Sequence, residues 1–213
     1  MPRVMTIYGT RPEAIKMAPL VDALAGYPDI ESIVAVTGQH REMLDQVNEI
    51  FGITPDYDLD LMMPGASLVQ ISTRALERVS ELLTQTKPDA VVVQGDTSTA
   101  FAGALAAFYE QIPVVHLEAG LRTGNMCSPF PEEMNRRLTA PLAALHLAPT
   151  ATSKANLLAE GIAEAKIAVT GNTVIDALQW TVAQDIPLPD PAIADIVASG
   201  RRMLLVTTHR RES

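Results

Sequence analysis

Three carboxylate positions carry the chemistry legible in this chain. Ala90-Val91-Val92-Val93-Gln94-Gly95 leads into Asp96-Thr97. Pro113-Val114-Val115-His116-Leu117 leads into Glu118-Ala119-Gly120-Leu121-Arg122-Thr123-Gly124. Ser128-Pro129-Phe130-Pro131 opens Glu132-Glu133-Met134-Asn135-Arg136-Arg137. The first two runs are short, β-branched and non-alternating, the pattern of buried strands in a parallel sheet. Loops at the carboxyl ends of such strands converge on one crevice, where ligands bind. Asp96, Glu118 and Glu132 are therefore candidates for a shared site. Carboxylates whose environments push their pKa values apart can remove and return a proton.

Each position has a plain structural alternative. Asp96 could cap the helix that follows. Glu118 could pair with Arg122. Glu132 and Glu133 suit a first helical turn, where the dipole favours acids. Gly9-Thr10-Arg11-Pro12-Glu13-Ala14-Ile15-Lys16 sits at a strand-to-helix turn. Its helix amino terminus, with Arg11 and Lys16, could hold a phosphate or diphosphate; the alternative is a tight turn with two solvated cations. Gln39-His40-Arg41 could touch a polar ligand, or His40 could be a cap-region residue. His209-Arg210-Arg211 could face an anion or form a tail. Residues 120–124 could be a mobile loop over the pocket or an ordinary surface loop.

The elements that must position these groups alternate between strand and helix patterns. Strands are expected at 4–8, 33–36, around Val91 and Val114, and at 144–147 and 167–170, with a short one at 57–61. Helices are expected at 12–25, 40–51, 67–86, 99–109, 131–142, 153–160 and 174–182. Pro19 argues for a kink in the first. The apolar stripe of 67–86 is Leu68, Ile71, Ala75, Val79, Leu82 and Leu83. Residues 186–191 are Pro-dense and read as a linker. Residues 203–207 read as a further apolar strand. The expected organisation is an amino-terminal Rossmann-like domain over 1–170, connecting helices and linker over 171–202, and over 203–213 the first strand of a second, truncated domain. The fold class is a three-layer α/β domain with a mostly parallel sheet.

Composition bounds the function. At 213 residues the chain builds one good-sized core. Hydrophobic residues at 47% place it among globular proteins. A net charge of −9 gives no basic footprint for nucleic acid. The single Cys127 excludes an intrachain disulfide framework and fits a reducing cytoplasm. No signal-peptide pattern and no apolar run of about 18 residues is present, so no membrane partner is expected. Histidine and cysteine are too scattered for a zinc site.

The motifs resemble those of a known family. Gly9-Thr10-Arg11-Pro12-Glu13-Ala14-Ile15-Lys16-Met17-Ala18-Pro19, Gln39-His40-Arg41, Gln94-Gly95-Asp96-Thr97, His116-Leu117-Glu118-Ala119-Gly120-Leu121-Arg122-Thr123, Pro131-Glu132-Glu133-Met134-Asn135-Arg136, Thr170-Gly171-Asn172-Thr173-Val174-Ile175-Asp176-Ala177 and Thr208-His209-Arg210-Arg211-Glu212 are similar to the non-hydrolysing bacterial UDP-N-acetylglucosamine 2-epimerases. The resemblance runs from end to end of this chain and covers the amino-terminal half of the family's. It implies one half of a two-domain GT-B-type fold, in a cytoplasmic homodimer that feeds surface-polysaccharide synthesis. The implied reaction interconverts UDP-GlcNAc and UDP-ManNAc. UDP leaves C1 as a proton leaves C2, then adds back with C2 protonated from the other face. The resemblance assigns Asp96, Glu118 and Glu132 as catalytic acids. It assigns Arg11, Lys16, His209 and Arg210 to the substrate, and Gln39 and His40 to a second, activating UDP-GlcNAc. It implies no cofactor and no metal. The family's uridine contacts lie largely in a Ser-Gly-Gly-type segment absent here, and Thr208 stands where the family has Gly or Ala. A chain of this length is thus expected to bind UDP-GlcNAc weakly and to lack useful turnover. Alternatives are a hydrolysing epimerase, a GT-B glycosyltransferase, and a non-catalytic half-domain that binds sugar nucleotide.

Overall fold

In the computed structural model, residues 1–38, 41–61, 63, 65–184, 190–204 and 206 are described. Strands and helices alternate as the apolar spacing requires. The order is β1 (Arg3–Tyr8), α1 (Arg11–Ala25), β2 (Glu31–Val36), α2 (Arg41–Ile50), β3 (Tyr57–Asp58), α3 (Leu68–Thr86), β4 (Ala90–Gln94), α4 (Ser98–Tyr109), β5 (Val114–Leu117), α5 (Glu132–Leu142), β6 (Leu145–Ala148), α6 (Ala151–Ala159), β7 (Ile167–Val169), α7 (Thr173–Ala183) and α8 (Pro191–Ala198). The chain divides into two units, Met1–Ala177 and Leu178–Ser213.

The first unit holds a parallel seven-stranded sheet in the order β3-β2-β1-β4-β5-β6-β7. Its central strands are buried on both faces. Met5, Ile7, Ile33, Ala35, Val91, Val93 and Val114 pack with α3 and α4. Their alternates Tyr8, Val34, Val36, Val92 and Leu117 pack with α1 and α2. Burial on both faces explains the unbroken valine runs. Strand order reverses between β1 and β4, so the chain leaves these neighbours towards opposite faces. The crevice at their carboxyl ends is where such sheets take ligands.

Local chemistry explains where the elements depart from expectation. The helix at Pro19 continues without a break, held by the buried stripe Ala14, Met17, Ala18 and Val21. β3 stops at Asp58, because its carboxylate accepts the Asp60 amide at 3.0 Å and Asp60 turns to φ 45. In the second unit, Asp190 caps α8 through the Ala192 amide. The expected strand at 203–207 is not seen in its described residues: Met203, Leu204 and Val206 are 62%, 88% and 71% exposed and adopt no regular structure. A strand without a ladder partner leaves its backbone to water.

Two buried histidines are expected to make the stability of the sheet depend on pH. His116 and His146 are register partners on β5 and β6. His116 Nε2 lies 2.7 Å from the Gly95 carbonyl, which only accepts, so that nitrogen carries the proton. Neither ring nitrogen of His146 has a hydrogen-bond partner among the described residues. Burial pushes both imidazoles from 6.5 down to about 4. Repulsion from His116, Lys166 and Arg122 adds to this at His146. At His116 the Gly95 bond and Asp96 oppose the shift, and Arg122 reinforces it. The unfolded chain takes up these protons near pH 6.5, the folded chain only near pH 4. Their contribution to stability is complete above about pH 6.5 and is lost as pH falls towards 4. Each pKa unit of offset is worth about 1.4 kcal/mol. Urea unfolding between pH 7 and 4.5 is expected to show a declining free energy, and His146→Leu is expected to flatten the decline. An equally steep decline in the variant would refute the assignment.

Candidate active site

β5 ends at Leu117, and the next residue turns abruptly. Glu118 has φ 63, a left-handed conformation that costs a non-glycine residue about 1–3 kcal/mol. That turn points its carboxylate into a set of donors from distant parts of the chain. Oε2 accepts from Lys16 Nζ at 2.5 Å and from Gln94 Nε2 at 2.5 Å. Oε1 accepts from Asn172 Nδ2 at 3.0 Å. The Glu118 side chain is only 10% exposed. These contacts place it beside the β1–β4 switch point: Lys16 comes from α1, Gln94 ends β4, and Asn172 precedes α7. A Cβ built on Gly95 would lie 3.9 Å from Glu118 Oε2, so the β4 turn lies against the same carboxylate.

Asp96 follows that turn. It does not cap α4: Thr97 does, accepting from the Ala100 amide at 3.0 Å. The Asp96 carboxylate is taken by Arg136 of α5. Arg136 Nε and Nη2 approach Oδ2 at 2.8 and 2.6 Å. Asn135 Nδ2 holds the Asp96 carbonyl at 2.8 Å. α5 therefore lies along the Asp96 turn. Glu132, Asn135 and Arg136 are spaced i, i+3 and i+4, so they share one helical face. Glu132 is half-buried at the amino end of that face.

A further acid ties two neighbouring turns together. Glu13 is 2% exposed. Its Oε2 accepts from the Gly9 and Thr10 amides at 2.9 and 2.8 Å, and from Thr10 Oγ1 at 2.9 Å. Its Oε1 accepts from Thr97 Oγ1 at 2.6 Å. Burial raises its pKa, and these bonds work against that rise. Glu13 thus joins the β1–α1 turn to the β4–α4 turn. Arg11 opens α1 and is exposed.

The 120–124 segment is a pinned loop. Asn156 Nδ2 holds the Gly120 carbonyl at 2.9 Å. Arg122 pairs with Glu160 through Nε and Nη2 at 2.8 and 2.7 Å, not with Glu118. Glu133 accepts the Thr123 and Gly124 amides at 3.0 and 3.3 Å. Gln39, His40, His209 and Arg210 lie outside the described residues.

Comparison with known proteins places this geometry. Residues 22–213 match the family model described as UDP-N-acetylglucosamine 2-epimerase. The chain belongs to the UDP-N-acetylglucosamine 2-epimerase family. It is 54% identical to the Escherichia coli K12 UDP-N-acetylglucosamine 2-epimerase over 99% of this chain and 57% of that protein. It is 56% identical to the Bacillus subtilis enzyme of the same name over 99% of this chain and 54% of that protein. It superposes on the crystal structure of Neisseria meningitidis UDP-GlcNAc 2-epimerase bound to UDP-GlcNAc with a TM-score of 0.82 at 56% identity, covering 84% of this chain and 49% of that one. The chain spans about half the length of the relatives it matches. Its sheet is one half of their GT-B-type fold.

Against that family frame, Asp96 and Glu118 lie on adjoining turns at the carboxyl ends of β4 and β5, Lys16 reaches Glu118 from α1, and Glu132 is on the helix that holds Asp96. Gln94, Asn172, Arg136 and Glu13 join them as residues that no sequence spacing singles out. The adjoining motifs contained all four, but their partners are far away in the chain. In sequence, Glu133 is one more first-turn acid. It is fully buried and binds four donors.

Proposed function

We propose that this chain supplies the acid/base half of a non-hydrolysing epimerase that interconverts UDP-GlcNAc and UDP-ManNAc. The observation that carries the proposal is Glu118. It is an acid held on strained backbone at a switch-point crevice, oriented by Lys16, Gln94 and Asn172. Strain of this kind is retained where geometry serves a task.

The reaction needs a carboxylate on each face of the sugar. One removes the C2 proton while the C1–O bond breaks and its electron pair leaves with UDP, giving a 2-acetamidoglucal. UDP then re-adds at C1, and a carboxylic acid returns a proton to C2 from the other face. Asp96, Glu118 and Glu132 are the proposed acids. Lys16 and Arg11, at the amino-terminal turns of α1, offset charge on the departing diphosphate. His209 and Arg210 are proposed to assist there, and Gln39 and His40 to serve a second, activating UDP-GlcNAc. The second half of the enzyme supplies the uridine contacts. The working enzyme is proposed to be a cytoplasmic homodimer serving surface-polysaccharide synthesis. The E. coli and B. subtilis relatives and the nucleotide-sugar-bound N. meningitidis structure support this reading.

The test is the full-length enzyme in heavy water, followed by NMR. Elimination predicts deuterium at C2 of both UDP-GlcNAc and UDP-ManNAc. Epimerisation without deuterium at C2 would end the elimination mechanism. Release of free ManNAc would instead assign the hydrolysing reaction.

A further inference from the structure

Glu133 is the one acid of the α5 motif that has no task in the proposed chemistry, and it is the most completely buried. Its exposure is 0%. Burying a carboxylate costs several kcal/mol unless charge and hydrogen bonds offset the loss of water. Four donors do so here. Oε2 takes the Thr123 amide at 3.0 Å and Arg136 Nη1 at 3.2 Å. Oε1 takes the Gly124 amide at 3.3 Å and Arg137 Nε at 3.4 Å. Burial raises the pKa of this carboxyl, but the four bonds prevail and hold it below the usual range, so it is ionised.

The bond to Arg136 has a geometric consequence. A guanidinium is planar and rigid, so fixing one edge fixes the direction of the other. Glu133 holds Nη1, and Nε and Nη2 then both meet Asp96 Oδ2. The fork thus grips the Asp96 carboxylate at Oδ2. Ion pairs continue away from the crevice in alternating sign: Asp96, Arg136, Glu133, Arg137, Glu160, Arg122. Glu133 is the buried link of this chain, and it also fastens the loop that follows Glu118.

We propose that Glu133 is a positioning residue for the epimerisation, setting the Arg136 guanidinium that aims Asp96 while tying the 123–124 loop to α5. The inference rests on the proposed role of Asp96. In the full-length enzyme, Glu133→Gln removes the charge and turns one acceptor into a donor. Its kcat is expected to fall about 10- to 100-fold, the scale of a small misplacement of a catalytic group, with KM within about threefold. In an Asp96→Asn background the same change is expected to cost less than about threefold more, because groups acting through one another are non-additive. Arg136→Lys is expected to lower kcat similarly and to mask Glu133→Gln in the same way, which keeps the test available if Glu133→Gln alone accumulates poorly. Full additivity, or an unchanged kcat, would overturn the inference. If the wild-type enzyme shows no epimerisation, the proposed reaction fails by itself. Amide exchange then decides the positioning: faster exchange at 95–97 and 123–124 in Glu133→Gln supports it, and unchanged exchange overturns it.

Discussion

Glu118→Gln in the full-length enzyme is expected to lower epimerisation by about 10²-fold or more, the scale of a lost acid/base group. The change conserves shape but not chemistry. Glu118 accepts at both oxygens, from Lys16 and Gln94 on one and Asn172 on the other. A glutamine amide has only one acceptor end. In either orientation its NH2 faces a donor, so the side chain is misdirected as well as unable to take a proton. Asp96→Asn and Glu132→Gln are expected to cost a similar factor. NMR of UDP-GlcNAc turnover measures each variant, with circular dichroism to verify folding. Turnover within about tenfold of wild type at any of the three would remove that residue from the catalytic set.

The largest stability effect is expected at Gly120. Its φ is 88, and a Cβ there would sit 2.3 Å from the Ser153 carbonyl oxygen and 2.8 Å from its carbon. Both are backbone atoms at the start of α6, with no rotamer to swing aside. Gly120→Ala is expected to destabilise the chain by about 3 kcal/mol or more, combining left-handed backbone cost with overlap. At about 2–4 °C per kcal/mol for a chain of this size, the melting temperature drops by roughly 6–12 °C. Gly124→Ala is the control. Its φ of 77 is similar, but no atom of the described residues lies within 4 Å of the added carbon. It is expected to lose only about 1 kcal/mol. Calorimetry of both variants separates the two causes; equal losses would mean that the contact with Ser153 contributes nothing.

The alternation of strands and helices was legible because burial on both faces writes uninterrupted valine runs, as in Val91-Val92-Val93. The positions of Asp96 and Glu118 were legible for the same reason: each follows the end of such a run. Their partners were not. Local spacing favours Glu118 with Arg122, four residues away, but that rule belongs to helices. The backbone at Glu118 turns left-handed instead. The carboxylate meets Lys16, 102 residues earlier, and Asn172, 54 residues later. Arg136 reaches Asp96 across 40 residues. α4 starts at Ser98, so Thr97 and not Asp96 takes the cap position, and the Asp96 carboxylate pairs with Arg136 on α5. Glu132 and Glu133 look equivalent in sequence. Only the packing of α5 separates the half-buried Glu132 from the fully buried Glu133.

The alanines of α4 act as a gauge. Ala100, Ala102, Ala104, Ala106 and Ala107 are all buried, and Gly103 with them. The helix is packed against α3 on one side and α5 on the other. Spacing between packed helices follows the size of the side chains at the contact. These short side chains therefore fix how near α5 stands to the β4 turn, and with it the 2.6 Å reach from Arg136 to Asp96. Bulk added on α4 would be felt as lost alignment between Arg136 and Asp96.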